Sequence, residues 1–314
     1  MEYSTDNITG YIGIALAVLG WGLANSLISF GLADINPYLF LTLRFIFAVF
    51  LFSPFILFFK RDSFFLLITN KWIWLIAFFE FLGLEFQYLG QQTISAGLST
   101  LLAIQFIIFV PFLGAKFLNT PVTKTNIIAI IIAISGTILI ATNGRIFDLF
   151  SNINVGVIFL LFSALFYSFY LISSSYFTNT VNKDVDSMTL FFIVTLGLSF
   201  FSILPTAVTN KTYNVSNSIW PLIVALAVFS TIIPFIGYFK GLKVVSANTM
   251  SLVLLLQIIV PFFIDIVFLG ISYSSWIIIG SLLIVSSLVF FVSKPIIEKY
   301  HIERKTQYKQ SRAN

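Results

Sequence analysis

"SAGLSTLLAIQFIIFVPF", residues 95–112, has a counterpart half a chain later in "SANTMSLVLLLQIIVPF", residues 246–262. Each stretch begins with Ser-Ala, ends in Val-Pro-Phe and carries a Gln shortly before the proline, with a one-residue slip between the two. Neither contains a charged residue, as is typical of helices that cross a membrane. The pair therefore predicts a membrane fold built from two related halves.

The composition places the whole chain in the bilayer. Hydrophobic residues make up 59% of the 314 and charged residues 9%, against about 25% charged residues in a soluble domain. Cysteine is absent, which excludes disulfides, thiolate metal sites and cysteine nucleophiles. The formal net charge of +5 comes from membrane-proximal loops and the C-terminal tail, so lipid headgroups explain it better than nucleic acid.

The apolar runs are long enough for ten transmembrane helices, since about 20 residues cross the hydrocarbon core. We expect an all-α membrane protein, with span ends uncertain by a few residues. The predicted spans are 11–32, 38–59, 72–93, 97–118, 125–142, 155–176, 188–209, 219–239, 249–270 and 274–293.

The distribution of Lys and Arg predicts that both termini are cytoplasmic, because cytoplasmic loops hold the excess of these residues. With the N-terminus inside, fourteen of the seventeen Lys and Arg residues fall in inner loops or the tail. Only Arg145 and Lys211 fall in outer loops, and Arg44 lies within a span. We predict a multi-pass protein of the cell membrane.

The repeat implies two halves of opposite orientation, because each half would contain five spans and five is odd. We predict repeats at 1–146 and 147–293, followed by a basic, disordered tail at 294–314. Substrate sites of inverted-repeat transporters lie near the midplane, and matched interrupted helices indicate them. Pro111 and Pro261 are such a matched pair, with a predicted structural or gating role.

The chain resembles the EamA-type members of the drug/metabolite transporter superfamily. The likeness rests on "LGWG" at 19–22, "PYLFLTLRF" at 37–45 and the two repeated stretches, in that order. It implies ten helices in two inverted repeats and a central cavity lined by helices 1, 3, 4, 6, 8 and 9. It also implies transport of small metabolites, often amino acids and commonly outward. A Glu that many relatives carry after spans 4 and 9 is absent from "GAKFLNTPVT" and "FLGISYSS".

Four ionisable residues fall inside predicted spans: Arg44, Glu80, Glu85 and Asp265. Such residues usually face a partner or a wet cavity. Arg44 and Glu85 lie roughly 10 Å and 12 Å below the same surface, on adjacent spans. A buried ion pair between them is one interpretation, and a direct role of Glu85 in transport is the other. Asp265 lies near the outer end of its span, and we expect it to be solvated.

Glu80 has no partner at its depth in the sequence. It shares a helix face with Gln87 and Gln91, while Glu85 and Gln92 share a second face. A polar stripe of this length favours a cavity wall over lipid contact. Because a carboxyl group can bind and release a proton, proton coupling through Glu80 is a hypothesis.

Polar and aromatic residues on the other cavity helices complete the candidate site. Tyr and Trp near a span end also fit an interfacial belt, and Tyr238 is the most open to this alternative. The predicted substrate-binding residues are Trp21, Asn25, Glu80, Glu85, Gln87, Gln105, Tyr167, Tyr170, Tyr238 and Gln257.

The sequence disfavours an enzyme. His301, in the tail, is the only histidine, so the spans hold no HExxH pair and no Ser-His dyad. Glu80 and Glu85 lie about 140° apart on one helix, which disfavours a paired-carboxylate mechanism. No metal site, cofactor or ATP-binding motif is predicted.

We predict a secondary transporter for an amino acid or related metabolite, acting by alternating access in the export direction. The expected partners are a small-molecule substrate, the bilayer and, as an open question, protons; the oligomeric state is open as well. A passive channel, a structural membrane subunit and a carrier of phosphorylated or nucleotide-sugar substrates remain the alternatives.

Overall fold

Helices form all the regular structure in the part of the chain that the computed structural model describes, which comprises residues 5–117, 122, 124–145, 154–209, 215–245, 247, 250, 253–287 and 289–290. The predicted tail at 294–314 and the boundary between the predicted repeats at 146 and 147 lie outside these residues. The helices are α1 (Thr5–Gly31), α2 (Pro37–Phe59), α3 (Arg61–Leu67), α4 (Lys71–Gln91), α5 (Ala96–Ala103), α6 (Phe106–Phe117), α7 (Lys124–Thr142), α8 (Val155–Tyr176), α9 (Ser187–Thr209), α10 (Trp220–Ala227), α11 (Ile233–Gly241), α12 (Ile259–Val267) and α13 (Ser275–Ser287).

Seven helical segments are long and apolar enough to cross a membrane, among the described residues. They are Ile8–Gly31, Pro37–Phe59, Lys71–Gln91, Ala96–Phe117, Val155–Val181, Ser187–Thr209 and Asn217–Gly241. Three shorter apolar helices, Ile127–Ile140, Leu254–Val267 and Ser275–Ser287, fall where the sequence predicts the remaining three spans. The prediction of an all-α membrane protein is therefore confirmed.

Large apolar side chains are exposed and several charged or polar side chains are buried, which is unusual for a soluble protein. Phe58 is 82% exposed and Leu204 69%, whereas Arg44 is 1% and Glu80 4% exposed. A large exposed apolar surface that includes Phe58 and Leu204 is unfavourable in water. Arg44 and Glu80 would be unfavourable in hydrocarbon unless they were buried among polar groups of the protein. The burial pattern thus suits a lipid environment.

Short polar caps start several of the helices. Asn36 accepts hydrogen bonds from the backbone N–H groups of Tyr38 and Leu39 and precedes Pro37 at the first turn of α2. Asn70 and Asn154 cap α4 and α8 in the same way. These side chains satisfy N–H groups that a helix start leaves unpaired, so the sequence determines where the helices begin.

The chain forms two compact units. One comprises residues 1–119 and 154–272, and the other residues 120–153 and 273–314. Within the second unit α7 packs on α13, where a Cβ at Gly136 or Gly280 would overlap the carbonyl oxygen of the other glycine. The Ser287 hydroxyl also donates to the Ala129 carbonyl at 2.5 Å. This division concerns packing, and the repeat of the two sequence halves remains a prediction.

Two glycine crossings bring helices of the first unit into backbone contact. A Cβ at Gly13 of α1 would overlap the carbonyl oxygen of Gly237 in α11, and the reverse also holds. The same is true of Gly90 in α4 and Gly156 in α8. Small residues allow helices to approach closely in this way. The α1–α11 and α4–α8 pairs are therefore the most tightly packed pairs around the interior.

Candidate functional site

A central cavity lies inside the first unit, where α1, α2, α4, α8 and α11 face the interrupted helical segments around Ala103 and Leu254. The volume that the centre of a water-sized sphere can occupy inside it is about 80 Å³, several times the minimum that holds one ordered water. The polar and aromatic wall residues are Trp21, Asn25, Arg44, Glu80, Gln87, Thr100, Phe106, Tyr167, Tyr170, Phe235, Tyr238 and Gln257.

Eight of the ten substrate-binding residues predicted from the sequence lie in the cavity wall. These eight are Trp21, Asn25, Glu80, Gln87, Tyr167, Tyr170, Tyr238 and Gln257. Glu85 and Gln105 are buried but lie outside the cavity wall. Gln105 falls in a turn between α5 and α6, and this break in the fourth span changes the direction in which the helix presents its residues.

Arg44 extends from α2 into the cavity wall and donates hydrogen bonds to the eighth predicted span and to α4. Its Nε donates to the Thr231 hydroxyl at 2.8 Å, and its Nη2 donates to the Ser230 carbonyl at 2.6 Å. Its Nη1 donates to the Tyr88 hydroxyl at 3.3 Å. Two of the five N–H groups of a guanidinium thus have no partner among the described residues.

The interpretation of Arg44 and Glu85 as an ion pair is not what the structure shows. Lys60 and Asp186 form the only ion pair within 4.0 Å among the described residues. Equal depth does not make two side chains face each other, and the guanidinium turns toward the eighth span because acceptors are available there. The ion-pair prediction is corrected to a hydrogen-bonded arginine.

A proline creates one of these acceptors. Pro234 has no N–H, so the carbonyl of Ser230, four residues earlier, lacks its helical donor. The backbone forms a π-helical turn at Val228–Ile232, and the Thr231 hydroxyl donates to the Leu226 carbonyl at 2.9 Å. Such turns often occur at functional sites. Here the turn leaves a carbonyl and a hydroxyl free to hold Arg44.

Glu80 faces the cavity without a hydrogen bond. Its Oε2 is buried and has no partner among the described residues, although its carboxyl group interacts electrostatically with Arg44. The cavity wall therefore carries one carboxyl group and one guanidinium that do not form an ion pair with each other.

Glu85 points away from the cavity, as expected from its 140° offset from Glu80 on α4. It is 8% exposed, and neither of its carboxyl oxygens has a hydrogen-bond partner in the described part of the chain. It lies near enough to Tyr38 and Tyr88 to interact with both electrostatically.

An amide network crosses one end of the cavity. The Asn25 Oδ1 accepts hydrogen bonds from Gln87 Nε2 and, at 2.8 Å, from Gln91 Nε2. The Tyr167 hydroxyl donates to Gln87 Oε1. The network joins α1, α4 and α8 near the end at which α1 and α4 finish, and Asn25, Gln87 and Tyr167 lie in the cavity wall.

Aromatic rings line the cavity where α1, α8 and α11 meet. Tyr170 and Tyr238 stack with centroids 5.4 Å apart, and Trp21 lies 5.3 Å from both Phe235 and Tyr238. The hydroxyls of Tyr170 and Tyr238 lie close to each other and to the Ser174 hydroxyl, but none of the three makes a hydrogen bond of good geometry among the described residues. Tyr238 therefore lies in the cavity wall and is 1% exposed, which argues against the interfacial-belt alternative.

The two matched prolines lie in spans with irregular helical geometry. The fourth span is interrupted at 104–105, before Pro111 in α6. The ninth span forms a 3₁₀ turn at Leu254–Ile258, before Pro261 in α12. Both irregular stretches contribute wall residues, although neither proline itself does.

Asp265 differs from the expectation of a solvated acid. It is fully buried, and its Oδ2 accepts a hydrogen bond at 2.7 Å from the Gly97 N–H. Gly97 lies in the first turn of α5, whose preceding residue Ser95 makes no side-chain cap. Asp265 thus supplies from α12 the acceptor that the start of α5 lacks.

Lys60 and Asp186 connect the end of α2 to the start of α9 at 3.1 Å. Burial disfavours the charged form of Asp186, but hydrogen bonds from Thr189 and Lys60 outweigh burial and keep the pKa of this carboxyl below its usual range. Asp186 is therefore an ionised cap at neutral pH.

Sequence reasoning missed the residues that hold Arg44. Tyr88, Ser230 and Thr231 look like ordinary membrane-helix residues, and no periodicity singles them out. The only available signal was Pro234, four residues after Ser230, which predicts an unpaired carbonyl. Thr100, Phe106 and Phe235 in the wall were missed because their residue types suit any apolar helix.

Comparison with known proteins agrees with this architecture. The sequence model of the EamA-like transporter family matches residues 8–142 and 154–293, which together make up most of the chain. The chain belongs to the EamA-like transporter family. The resemblance inferred from the sequence motifs is thereby confirmed.

Two relatives of this EamA-like protein come from Archaeoglobus fulgidus, and both are described as uncharacterized transporters. One is 27% identical over 254 residues, covering 78% of this chain and 84% of the relative. The other is 23% identical over 175 residues, covering 55% of this chain and 51% of the relative. Family and relatives indicate a membrane transporter of small molecules and not an enzyme.

A solved structure described as "Crystal structure of protein" matches 92% of this chain and 97% of its own, with a TM-score of 0.62 and 16% identity. At this level of sequence identity the match supports the fold and gives no information about the substrate.

Proposed function

We propose that this EamA-like protein is a secondary transporter that carries an amino acid or a related zwitterion across the cell membrane by alternating access. The observation that supports this most is the wall of the central cavity, where the carboxyl group of Glu80 and the guanidinium of Arg44 remain unpaired with each other. A zwitterion supplies both missing partners.

In this proposal the substrate ammonium binds the Glu80 carboxylate. The substrate carboxylate accepts from the two N–H groups of Arg44 that have no partner among the described residues. Charge-assisted hydrogen bonds of this kind are stronger than neutral ones. The apolar part of the substrate lies against Trp21 and Phe235 in the cavity wall.

Two sets of contacts beside the cavity support alternating access. We infer that the amide network between α1 and α4 forms one closure and that the Tyr170–Tyr238 stack between α8 and α11 forms the other. The glycine crossings hold α1 on α11 and α4 on α8. We infer that these two helix pairs rock against each other, so that one closure opens while the other forms.

The same contacts support the proposed inverted repeat of ten spans, and the distribution of Lys and Arg supports cytoplasmic termini. If spans 1 and 3 correspond to spans 6 and 8, the α1–α11 pair maps onto the α8–α4 pair, and each pair has its own glycine crossing. The two separate family matches, one in each half, agree with a duplication. The export direction follows from the family resemblance.

A ligand screen tests the substrate class. The thermal stability of purified protein is measured with amino acids, the corresponding amines and carboxylic acids, and nucleotide-sugars. Amino acids should raise the melting temperature more than the single-charge analogues, because a ligand that binds only the folded state stabilises it. Glu80→Gln should abolish the shift, whereas Asp34→Asn, at an exposed loop residue, should preserve it. Stabilisation by nucleotide-sugars alone would contradict the proposal.

A further inference from the structure

Glu85 is the buried carboxyl group to which the proposed substrate site gives no role. It lies in α4 but outside the cavity wall, and neither carboxyl oxygen has a partner among the described residues. Burying an isolated carboxylate is costly, and binding a proton removes its charge. An ionisable residue inside a membrane span is therefore a candidate for a functional role.

Few charged or titratable groups surround Glu85. From α2 they are Tyr38 and Arg44, and from α4 itself Glu80 and Tyr88. α8 contributes Tyr167 and Tyr170 on the cavity side, while its Tyr176 contacts Trp72 at the far end of α4. α5 and α9 have no titratable side chain, and those of α1, Asp6 and Tyr11, lie at the start of the helix, remote from Glu85.

Tyr88 connects Glu85 to the cavity. It follows Glu85 by three residues and so lies on the same helix face, and the two groups interact electrostatically. The Tyr88 hydroxyl already accepts a hydrogen bond from Arg44 Nη1. Its own proton remains available for donation, and the Glu85 oxygens are unoccupied acceptors.

We propose that Glu85 is a proton-binding positioning residue that sets the position of Arg44 through Tyr88. As a carboxylate, Glu85 accepts a hydrogen bond from the Tyr88 hydroxyl. This bond strengthens the one that the Tyr88 oxygen accepts from Arg44, and the guanidinium is drawn away from the cavity. A proton from water at the end where α2 begins, near the half-exposed Tyr38, converts it to a carboxylic acid. This acceptor is then lost, and Arg44 turns toward the cavity.

The inference rests on the proposed function, since it makes proton binding at Glu85 and zwitterion binding at Arg44 mutually dependent. It also separates two roles that the sequence could not separate. Glu80 binds the substrate, and Glu85 senses protons.

The test needs no substrate. Ala103 lines the cavity and the chain has no cysteine, so Ala103→Cys introduces a single thiol. The rates at which this thiol reacts with an anionic and with a cationic methanethiosulfonate are measured from pH 5 to 9. Ionisation of the thiol changes both rates by the same factor, so their ratio does not depend on it. The measurement is made with Glu80→Gln present, so that Glu80 cannot titrate.

The ratio of anionic to cationic rates should rise several-fold as the pH falls, because Arg44 enters the cavity. Adding either Glu85→Gln or Tyr88→Phe should make the ratio independent of pH, and the two together should do no more than either alone. A pH response that survives Glu85→Gln, or a flat ratio before Glu85 is changed, would overturn the inference.

Infrared titration supplies a second measurement in case the thiol does not react. A protonated-carboxyl band that titrates in the Glu80→Gln protein should disappear on adding Glu85→Gln and shift on adding Tyr88→Phe. If Glu85→Gln leaves that band unchanged, the inference fails. Neither result depends on whether the protein transports an amino acid, so the two proposals can fail separately.

Discussion

Arg44 shows how a single charged residue can lie inside a membrane helix bundle. Its guanidinium is 1% exposed and is held by a hydroxyl of the eighth span, a carbonyl freed by Pro234 and the Tyr88 hydroxyl. The arrangement needs hydrogen-bond acceptors only, and no carboxylate within 4.0 Å among the described residues. Arg44 therefore keeps its positive charge available to the cavity.

Replacing Thr231 by Val should destabilise the protein by about 1–3 kcal/mol, because a buried charged donor loses its acceptor. The measurement is thermal or chemical unfolding in detergent. Thr195→Val is the matched control, since that buried hydroxyl donates only to the Phe191 carbonyl of its own helix. Equal effects of the two substitutions would show that Arg44 does not depend on Thr231.

The sequence could predict which residue types face the cavity but not how their side chains pair. The helical period of α4 predicts that Glu80 and Gln87 lie on a different helix face from Glu85. In the structure Glu80 and Gln87 line the cavity and Glu85 does not. The partner of Arg44 could not be predicted, because depth along a helix does not determine which way a side chain turns about the axis. The expectation that Asp265 is solvated was wrong for a related reason. Its carboxylate accepts a hydrogen bond from the backbone N–H of Gly97, and side-chain patterns do not reveal a backbone partner.

At the level of helices, the positions of most elements follow directly from hydropathy and caps. The interruptions at 104–105 and Leu254–Ile258 do not. Pro111 and Pro261 lie after these interruptions and do not mark them. The break at 104–105 moves Gln105 away from the wall, whereas Gln257 stays in it. α3 was missed because seven residues are too few for a hydropathy signal.

Crosslinking tests whether the α1–α11 and α4–α8 pairs move. Cysteines placed at Asn25 and Gln91, or at Tyr170 and Tyr238, should each block transport when joined by a short bis-methanethiosulfonate. Each of its two groups forms a disulfide with one thiol and releases methanesulfinate, so the link locks one closure. Reduction should restore activity. Cysteines at Phe86 and Phe162, whose rings stack within the α4–α8 pair, should crosslink without effect. Full activity with either closure locked would contradict the rocking of the pairs.

The whole molecule combines a lipid-facing apolar surface with a cavity that carries both signs of charge. A passive channel would need a continuous path, whereas here an amide network joins α1 to α4 and an aromatic stack joins α8 to α11 beside the cavity. A structural subunit would have no need of a carboxyl group and a guanidinium left unpaired with each other in an internal space. Both features agree with a carrier that exposes its site to one side at a time.

Counterflow in proteoliposomes tests this account most directly. Vesicles preloaded with an unlabelled amino acid that stabilises the purified protein should transiently accumulate the labelled form against its gradient, because a carrier exchanges its substrate. Glu80→Gln should lower the initial rate at least tenfold, and Asp34→Asn should leave it unchanged. Passive equilibration without accumulation, or full counterflow by the Glu80→Gln protein, would contradict it.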